Sequence, residues 1–200
     1  MKLFKKLLYV LCFVLVVATI WLYPLIVSNS KPNLVKLGVI NNSLDQIEDN
    51  SFFYPNLDIK APFTLINKDP FTSKNWSLFR EALTKGIAIS YPYQDLENNS
   101  GLLYVIGHST DRYPHTYSSI FSSLDKSNAG ESFYLKKDEQ VYEYKVTEKQ
   151  ILNPRDIDGF LNLESSDTKI QKVAIVTCWP LFTTKNRLVV VGERNLENSL

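Results

Sequence analysis

Residues 173–192 read VAIVTCWPLFTTKNRLVVVG. Val173, Ala174, Ile175 and Val176 lead into Thr177 and Cys178, and after an eight-residue connection Arg187 opens a second apolar run, 188–191. Short runs this rich in valine and isoleucine read as strands. Because they are apolar at every position rather than at alternate ones, both of their faces should be buried. A connection of this length suits antiparallel neighbours, and that pairing would bring the Cys178 thiol and the Arg187 guanidinium together at one end of the pair.

Working outward, further β-type runs fall at 57–66, interrupted by Pro62, and at 87–91, 102–106, 132–135 and 141–146. In the last of these Tyr142, Tyr144 and Val146 alternate onto one face. Many short strands separated by turn residues give an all-β class, a closed barrel or a sandwich, with helices as minor insertions. The best helix is 76–85, where Phe79, Ala82 and Leu83 share a face and Gly86 stops it. Short helical turns are expected at 117–124 and 156–161.

The N-terminus is of another kind. From Leu7 to Val27 no charged residue occurs, and 21 residues at about 1.5 Å each match a bilayer core of about 30 Å. A cleaved signal peptide is the competing reading, but its apolar core is shorter and a small-x-small site follows it, and neither condition is met. Lys2, Lys5 and Lys6 precede the run, so residues 1–6 are expected in the cytoplasm, 7–27 in the membrane and the rest outside the cell. The polar, Asn- and Ser-rich stretch 28–56 reads as a stalk before a domain at 57–200. A fragment starting near Asn56 should then be soluble and folded, because the stalk contributes little apolar core. Residues 31–200 carry 19 basic against 21 acidic residues, a net charge of −2 that lacks the basic surplus of a nucleic-acid binder.

The chain has two cysteines. Cys12 lies in the apolar run, so it cannot pair with Cys178 on the far side of the membrane. Cys178 is then a buried small hydrophobe, an intermolecular link or a reactive nucleophile. His108 ends the run 102–106 after Gly107, as Cys178 and Arg187 end theirs, and three such side chains at strand termini can meet on one rim. The remaining histidine, His115, sits in a polar loop and reads as a solvated side chain. One extracytoplasmic cysteine and two histidines without paired spacing do not indicate a zinc cage, and neither a metal nor a cofactor is expected.

The segments Gly107-His108-Ser109, Ile175-Val176-Thr177-Cys178 with Trp179-Pro180, and Thr183-Thr184-Lys185-Asn186-Arg187 resemble the sortases, membrane-anchored cysteine transpeptidases of mainly Gram-positive bacteria. Ala61-Pro62, Leu83-Thr84-Lys85-Gly86, and Phe121, Leu124, Gly130 and Glu131 support the resemblance. Two departures are Leu181-Phe182 in place of a Tyr-Gly type turn and Glu131 in place of an aspartate. The resemblance implies a closed eight-stranded β-barrel with short helices. It also implies attack by Cys178 on a Leu-Pro-x-Thr-Gly-like sorting motif of an exported protein, and transfer of that protein to a cell-wall precursor or pilin amine.

In that scheme His108 protonates the leaving amine, and Arg187 either stabilises charge on the carbonyl oxygen or positions the peptide backbone. Thr177 and Ser109 either orient the site through their hydroxyls or are β-compatible neighbours. Trp179 either walls the cleft or packs on the barrel. The alternative from another class is a noncatalytic membrane-anchored β-domain that binds envelope proteins through an inert thiol. The Ser-x-Gly-Cys segment of an L,D-transpeptidase is absent.

Overall fold

The computed structural model describes residues 2–36, 47–70, 75–90, 96–97, 100–166 and 170–196. Helix α1 (Lys2–Lys36) comes first. Eight strands follow: β1 (Ser51–Tyr54), β2 (Ile59–Ile66), β3 (Ile87–Ser90), β4 (Gly101–Ile106), β5 (Ser132–Lys137), β6 (Gln140–Leu152), β7 (Gln171–Trp179) and β8 (Asn186–Arg194). Helix α2 (Trp76–Lys85) lies between β2 and β3, and α3 (Ile157–Ser166) between β6 and β7. The strands close into one barrel in the order β1-β2-β3-β4-β7-β8-β6-β5, the eight-stranded barrel that the resemblance implied.

Two of its seams are parallel, β2 with β3 and β4 with β7, and the rest are antiparallel. Parallel neighbours need a long connection. Helix α2 supplies it for the first seam, burying Phe79, Ala82 and Leu83 against the barrel. Its bounds are those read from the sequence. Pro62 cannot donate to a ladder, and it sits opposite Ser51 on the last rung with β1, one residue before the first β3 rung, Phe63 with Ile87.

In β7 and β8, Val173, Ala174, Ile175, Val189, Val190 and Val191 are all buried. Their two faces serve two cores. Val173, Ile175, Leu188 and Val190 point into the barrel interior, while Ala174, Val176, Val189 and Val191 meet Ile157 and Leu161 of α3 outside it. The uninterrupted apolar runs follow from that double burial. Inside the barrel Phe52, Tyr54, Phe121, Phe133 and Tyr144 form an aromatic stack.

The stalk boundary is corrected. Helix α1 continues to Lys36, and Lys31 reaches the barrel in a 3.0 Å ion pair with Asp58. Residues 37–46 lie outside the described residues. Residues 51–54, read from the sequence as stalk, form β1, the stave that closes the barrel between β2 and β5. Its Phe52, Phe53 and Tyr54 are fully buried, so a fragment starting at Asn56 lacks part of the core. Four residues between Asn50 and Pro55 are too few to show a period, which is why the strand is hidden in the sequence. The apolar Phe4–Tyr23 segment of α1 is long enough to cross a membrane and stays exposed.

Candidate active site

Three adjacent strands bring the candidate side chains to one rim. Strands β7 and β8 pair antiparallel with Cys178 directly opposite Arg187, Thr177 opposite Leu188 and Trp179 opposite Asn186. On the other side β4 runs parallel to β7, and its last rung pairs Ile106 with Val176, so Gly107 and His108 leave the barrel beside Thr177 and Cys178. Two contacts pin this corner. The Gly107 N–H donates to Val176 O at 3.4 Å, and the Thr177 hydroxyl donates to Gly107 O at 2.8 Å. Position 107 has to be glycine, because a Cβ there would lie 2.5 Å from the Phe121 ring.

The rim opens into a cleft of about 350 Å³. Gly107, His108, Thr177, Cys178 and Arg187 form its floor and one wall; Trp76 and Leu83 of α2, Ile157 and Asp158 of α3, and Pro70 and Pro154 complete it. The segment before Cys178, where the sequence predicts only a short turn at 156–161, forms α3, which contributes Ile157 and Asp158 to the cleft wall.

Burial pushes the Cys178 thiol above the ordinary cysteine range, and the Arg187 charge partly offsets that rise. Arg187 is held at one edge of its guanidinium, with Nη1 donating to Thr184 O at 3.0 Å and Asn186 O at 3.1 Å. Among the described residues no carboxylate pairs with it. Burial lowers the His108 imidazolium below its usual range; the Asp111 carboxylate opposes this, and His115 adds to it. The His108 ring faces Asp111, with Nε2 3.5 Å from Oδ2. The connection between β7 and β8 is joined to the His108 loop by the Phe182 N–H, which donates to Thr110 Oγ1 at 2.7 Å. Phe182 has a φ of 65°, so the residue replacing the glycine type of the family turn keeps the left-handed backbone a glycine would adopt freely.

Cys178, Arg187, His108 and Thr177 therefore line one cleft, whereas two other candidates do not. Ser109 turns inward and is buried, its Oγ without a hydrogen-bond partner among the described residues, and it is absent from the cleft lining. Trp179 packs on the barrel core. Thr177 commits its hydroxyl to Gly107 O, the contact that locks β7 to β4.

His115, read as solvated, is half-buried. Its Nε2 lies 3.1 Å from Asp111 Oδ2, and its ring stands edge-on to His108 with centroids 5.6 Å apart. Asp111 was not singled out in the sequence at all. Burial raises its carboxyl, but the charge of His108, the hydrogen bond with His115 and the backbone N–H groups of Arg112 and Tyr113 outweigh this and hold it below the usual carboxylate range. The available signal was an acid three residues after His108.

Comparison with known proteins agrees with this architecture. A sortase domain matches residues 58–195, and the chain belongs to the sortase family, a family of cysteine transpeptidases. Among solved structures, sortase C from Clostridium perfringens SM101 is 24% identical with a TM-score of 0.54, over 84% of each chain. Sortase C-1 from Actinomyces oris is 20% identical with a TM-score of 0.55, over 72% of each chain. Listeria monocytogenes sortase A is 23% identical with a TM-score of 0.53, over 72% of this chain and 85% of its own. At these identities the likeness is one of fold. Curated protein sequences give no significant match.

Proposed function

We propose that this chain is a membrane-anchored transpeptidase in which Cys178 is the nucleophile, His108 the proton donor and Arg187 the oxyanion stabiliser. The observation that carries the reading is the Cys178–Arg187 rung, with His108 on the same cleft, inside a sortase-family barrel. The thiolate sulfur attacks the threonine carbonyl of a Leu-Pro-x-Thr-Gly-like motif, and the C–O π electrons move to oxygen. Among the described residues no carboxylate pairs with Arg187, so its charge is available to that developing oxyanion, and its planar fork suits the task better than a lysine. The tetrahedral species collapses with cleavage of the Thr–Gly C–N bond while His108 delivers a proton to the departing nitrogen, leaving a thioester on Cys178. An acceptor amine, from a cell-wall precursor or a pilin, then attacks the thioester, forms the new amide and releases the thiol.

The N-terminal apolar helix supports an anchor whose lysine-flanked end stays in the cytoplasm and whose barrel faces exported proteins. Protease added to intact protoplasts should digest the barrel and spare an N-terminal tag; the reverse pattern would invert the topology.

The deciding experiment uses the full chain in detergent micelles, incubated with a panel of Leu-Pro-x-Thr-Gly-like peptides without an amine acceptor. Intact-mass spectrometry should find an acyl adduct that is absent from Cys178→Ala, and an added amine should discharge it into a joined product. If no peptide acylates the protein and small methanethiosulfonates also leave Cys178 unmodified in the folded state, the thiol is inert and the reading fails.

A further inference from the structure

The loop that carries His108 gathers beside it two residues that the transpeptidase reading does not use, Asp111 and His115. His108 Nε2 and His115 Nε2 approach the same oxygen of Asp111, at 3.5 Å and 3.1 Å, and the ligand atoms of all three residues lie within 4.8 Å of one another. A tetrahedral ion with bonds of about 2.0–2.1 Å sets its ligand atoms about 3.3–3.4 Å apart, and the two N···O separations bracket that edge. Two imidazoles and a carboxylate are zinc donors, and three protein ligands leave the fourth position open to water.

The loop is tied down at each of the three positions. The Phe121 N–H donates to His108 O at 2.9 Å, the Asp111 N–H to Ser118 O at 2.8 Å, and the Ser118 N–H to His115 O at 3.0 Å. The carboxylate is oriented as well. Asp111 Oδ1 accepts the Arg112 N–H at 2.5 Å, which leaves Oδ2 directed at the two rings, in the way that outer hydrogen bonds orient metal ligands. The side chains are 20–26% exposed, enough for an ion to enter from solvent. The cost on the protein side is small. The Tyr117 N–H donates to His115 Nδ1 at a long 3.3 Å, and metal ligation through Nε2 releases that one bond.

We propose that His108, Asp111 and His115 form a zinc(II) site, and that zinc bound there withdraws His108 from proton transfer, making the enzyme reversibly inhibited by zinc outside the cell. Binding is independent of the proposed function; the inhibition rests on it. Counting only cysteines and histidines gave no metal site in the sequence, and Asp111 is the donor that such a count omits.

The test separates the two parts. Full-length Cys178→Ala protein, which lacks the one extracytoplasmic thiol that could bind metal, is titrated with zinc chloride by calorimetry. One equivalent should bind, and His115→Gln and Asp111→Asn should each weaken the affinity by about tenfold or more, with circular dichroism reporting that both remain folded. Cobalt(II) should give the intense visible absorption of tetrahedral coordination in the Cys178→Ala parent and lose it in His115→Gln. Absence of stoichiometric binding, or equal affinity in both loop variants, overturns the site.

The second part compares acyl transfer with and without zinc. Transfer by the native chain should fall with zinc and return with a chelator, while the turnover of His115→Gln should not respond to the same concentration. Binding without such inhibition, in a protein that turns over, overturns the regulatory half. A protein that binds zinc in the calorimeter but acylates nothing without metal sinks the transpeptidase reading instead.

Discussion

Two arginines mark opposite ends of β8, and their surroundings differ in kind. Arg194 is buried; its Nη1 donates to Leu96 O at 3.2 Å and Gln171 Oε1 at 3.4 Å, and its guanidinium lies 4.6 Å from the centre of the Tyr142 ring. Gln171 Oε1 also accepts the Tyr144 hydroxyl at 2.6 Å. Arg187 lies half-buried on the cleft, is held by the Thr184 and Asn186 carbonyls along one edge and has no carboxylate partner among the described residues. A guanidinium enclosed by acceptors and an aromatic face serves the fold. One that keeps donors turned to an open cleft opposite a thiol can serve a reaction. Since β7 and β8 carry both ends, the strand pair that fixes the core also fixes the spacing of the candidate site.

The largest expected effect breaks the buried end. Arg194→Met should cost about 3 kcal/mol in denaturant unfolding, because it removes the buried guanidinium that donates to Leu96 O and Gln171 Oε1. The folded remainder should acylate at the native rate per active thiol. A stable variant with impaired acylation would erase the distinction between the two arginines.

Next is Arg187→Lys. Its stability should stay within about 0.5 kcal/mol of the native chain, because the charge is kept at a half-buried position on the rim. Acyl transfer should fall about 10²-fold, which is about 2.7 kcal/mol of barrel-rim stabilisation of the transition state. Steady-state kinetics and a melting curve on the same preparation check both numbers, and near-native turnover removes Arg187 from the mechanism.

The thiol sharpens the comparison further. Burial raises the Cys178 pKa and Arg187 lowers it, with burial the larger influence. The reactive thiolate is therefore scarcer at neutral pH than for an ordinary cysteine. The rate of alkylation by iodoacetamide should climb with pH to a midpoint above that of a free cysteine. Arg187→Gln removes the opposing charge and should move the midpoint higher still; a midpoint that stays in place or falls shows that the guanidinium does not act on the sulfur.

The legible parts of the sequence were those with long or uninterrupted patterns. Runs 173–177 and 188–191 gave their strands, their pairing and the approach of Cys178 to Arg187, because double burial leaves no polar position to confuse the period. Helix α2 was readable from Phe79, Ala82, Leu83 and the glycine stop. The longer β6 was not: only 141–146 alternates cleanly, and its register shifts between Val146 and Glu148 as it turns from β5 toward the far end of β8. Ser109 was placed on the site for its neighbour in the chain, yet adjacent residues leaving a strand point opposite ways. The Asp111–His115 pairing arises from loop hydrogen bonds with no sequence period, and β1 is too short to have one.

The smallest expected effect concerns that hidden strand. The Tyr54 hydroxyl, which burial and the neighbouring Glu131 keep protonated, donates to Glu131 Oε2 at 2.7 Å and so fastens β1 to the start of β5. The Glu131 carbonyl accepts the Val146 N–H at 2.8 Å, beside the Val146–Gly192 rung, which places the contact on the Arg194 half of the barrel. Burial raises the Glu131 carboxyl, but hydrogen bonds from Asn128, Tyr54 and Asn56 outweigh it and hold the group below the ordinary glutamate range. A carboxyl depressed in the folded state contributes stability above its unfolded pKa and loses it as the pH falls through the folded value. Glu131→Gln should therefore cost about 1 kcal/mol at neutral pH, the worth of a hydrogen-bonded charge at a partly exposed site. Below the glutamate range the gap between variant and native should narrow, since only the native chain then loses its charge. Urea unfolding at a series of pH values checks the sign. A gap that widens on acidification would mean that burial governs Glu131, and equal acylation rates in both proteins would keep this contact on the structural side of the barrel.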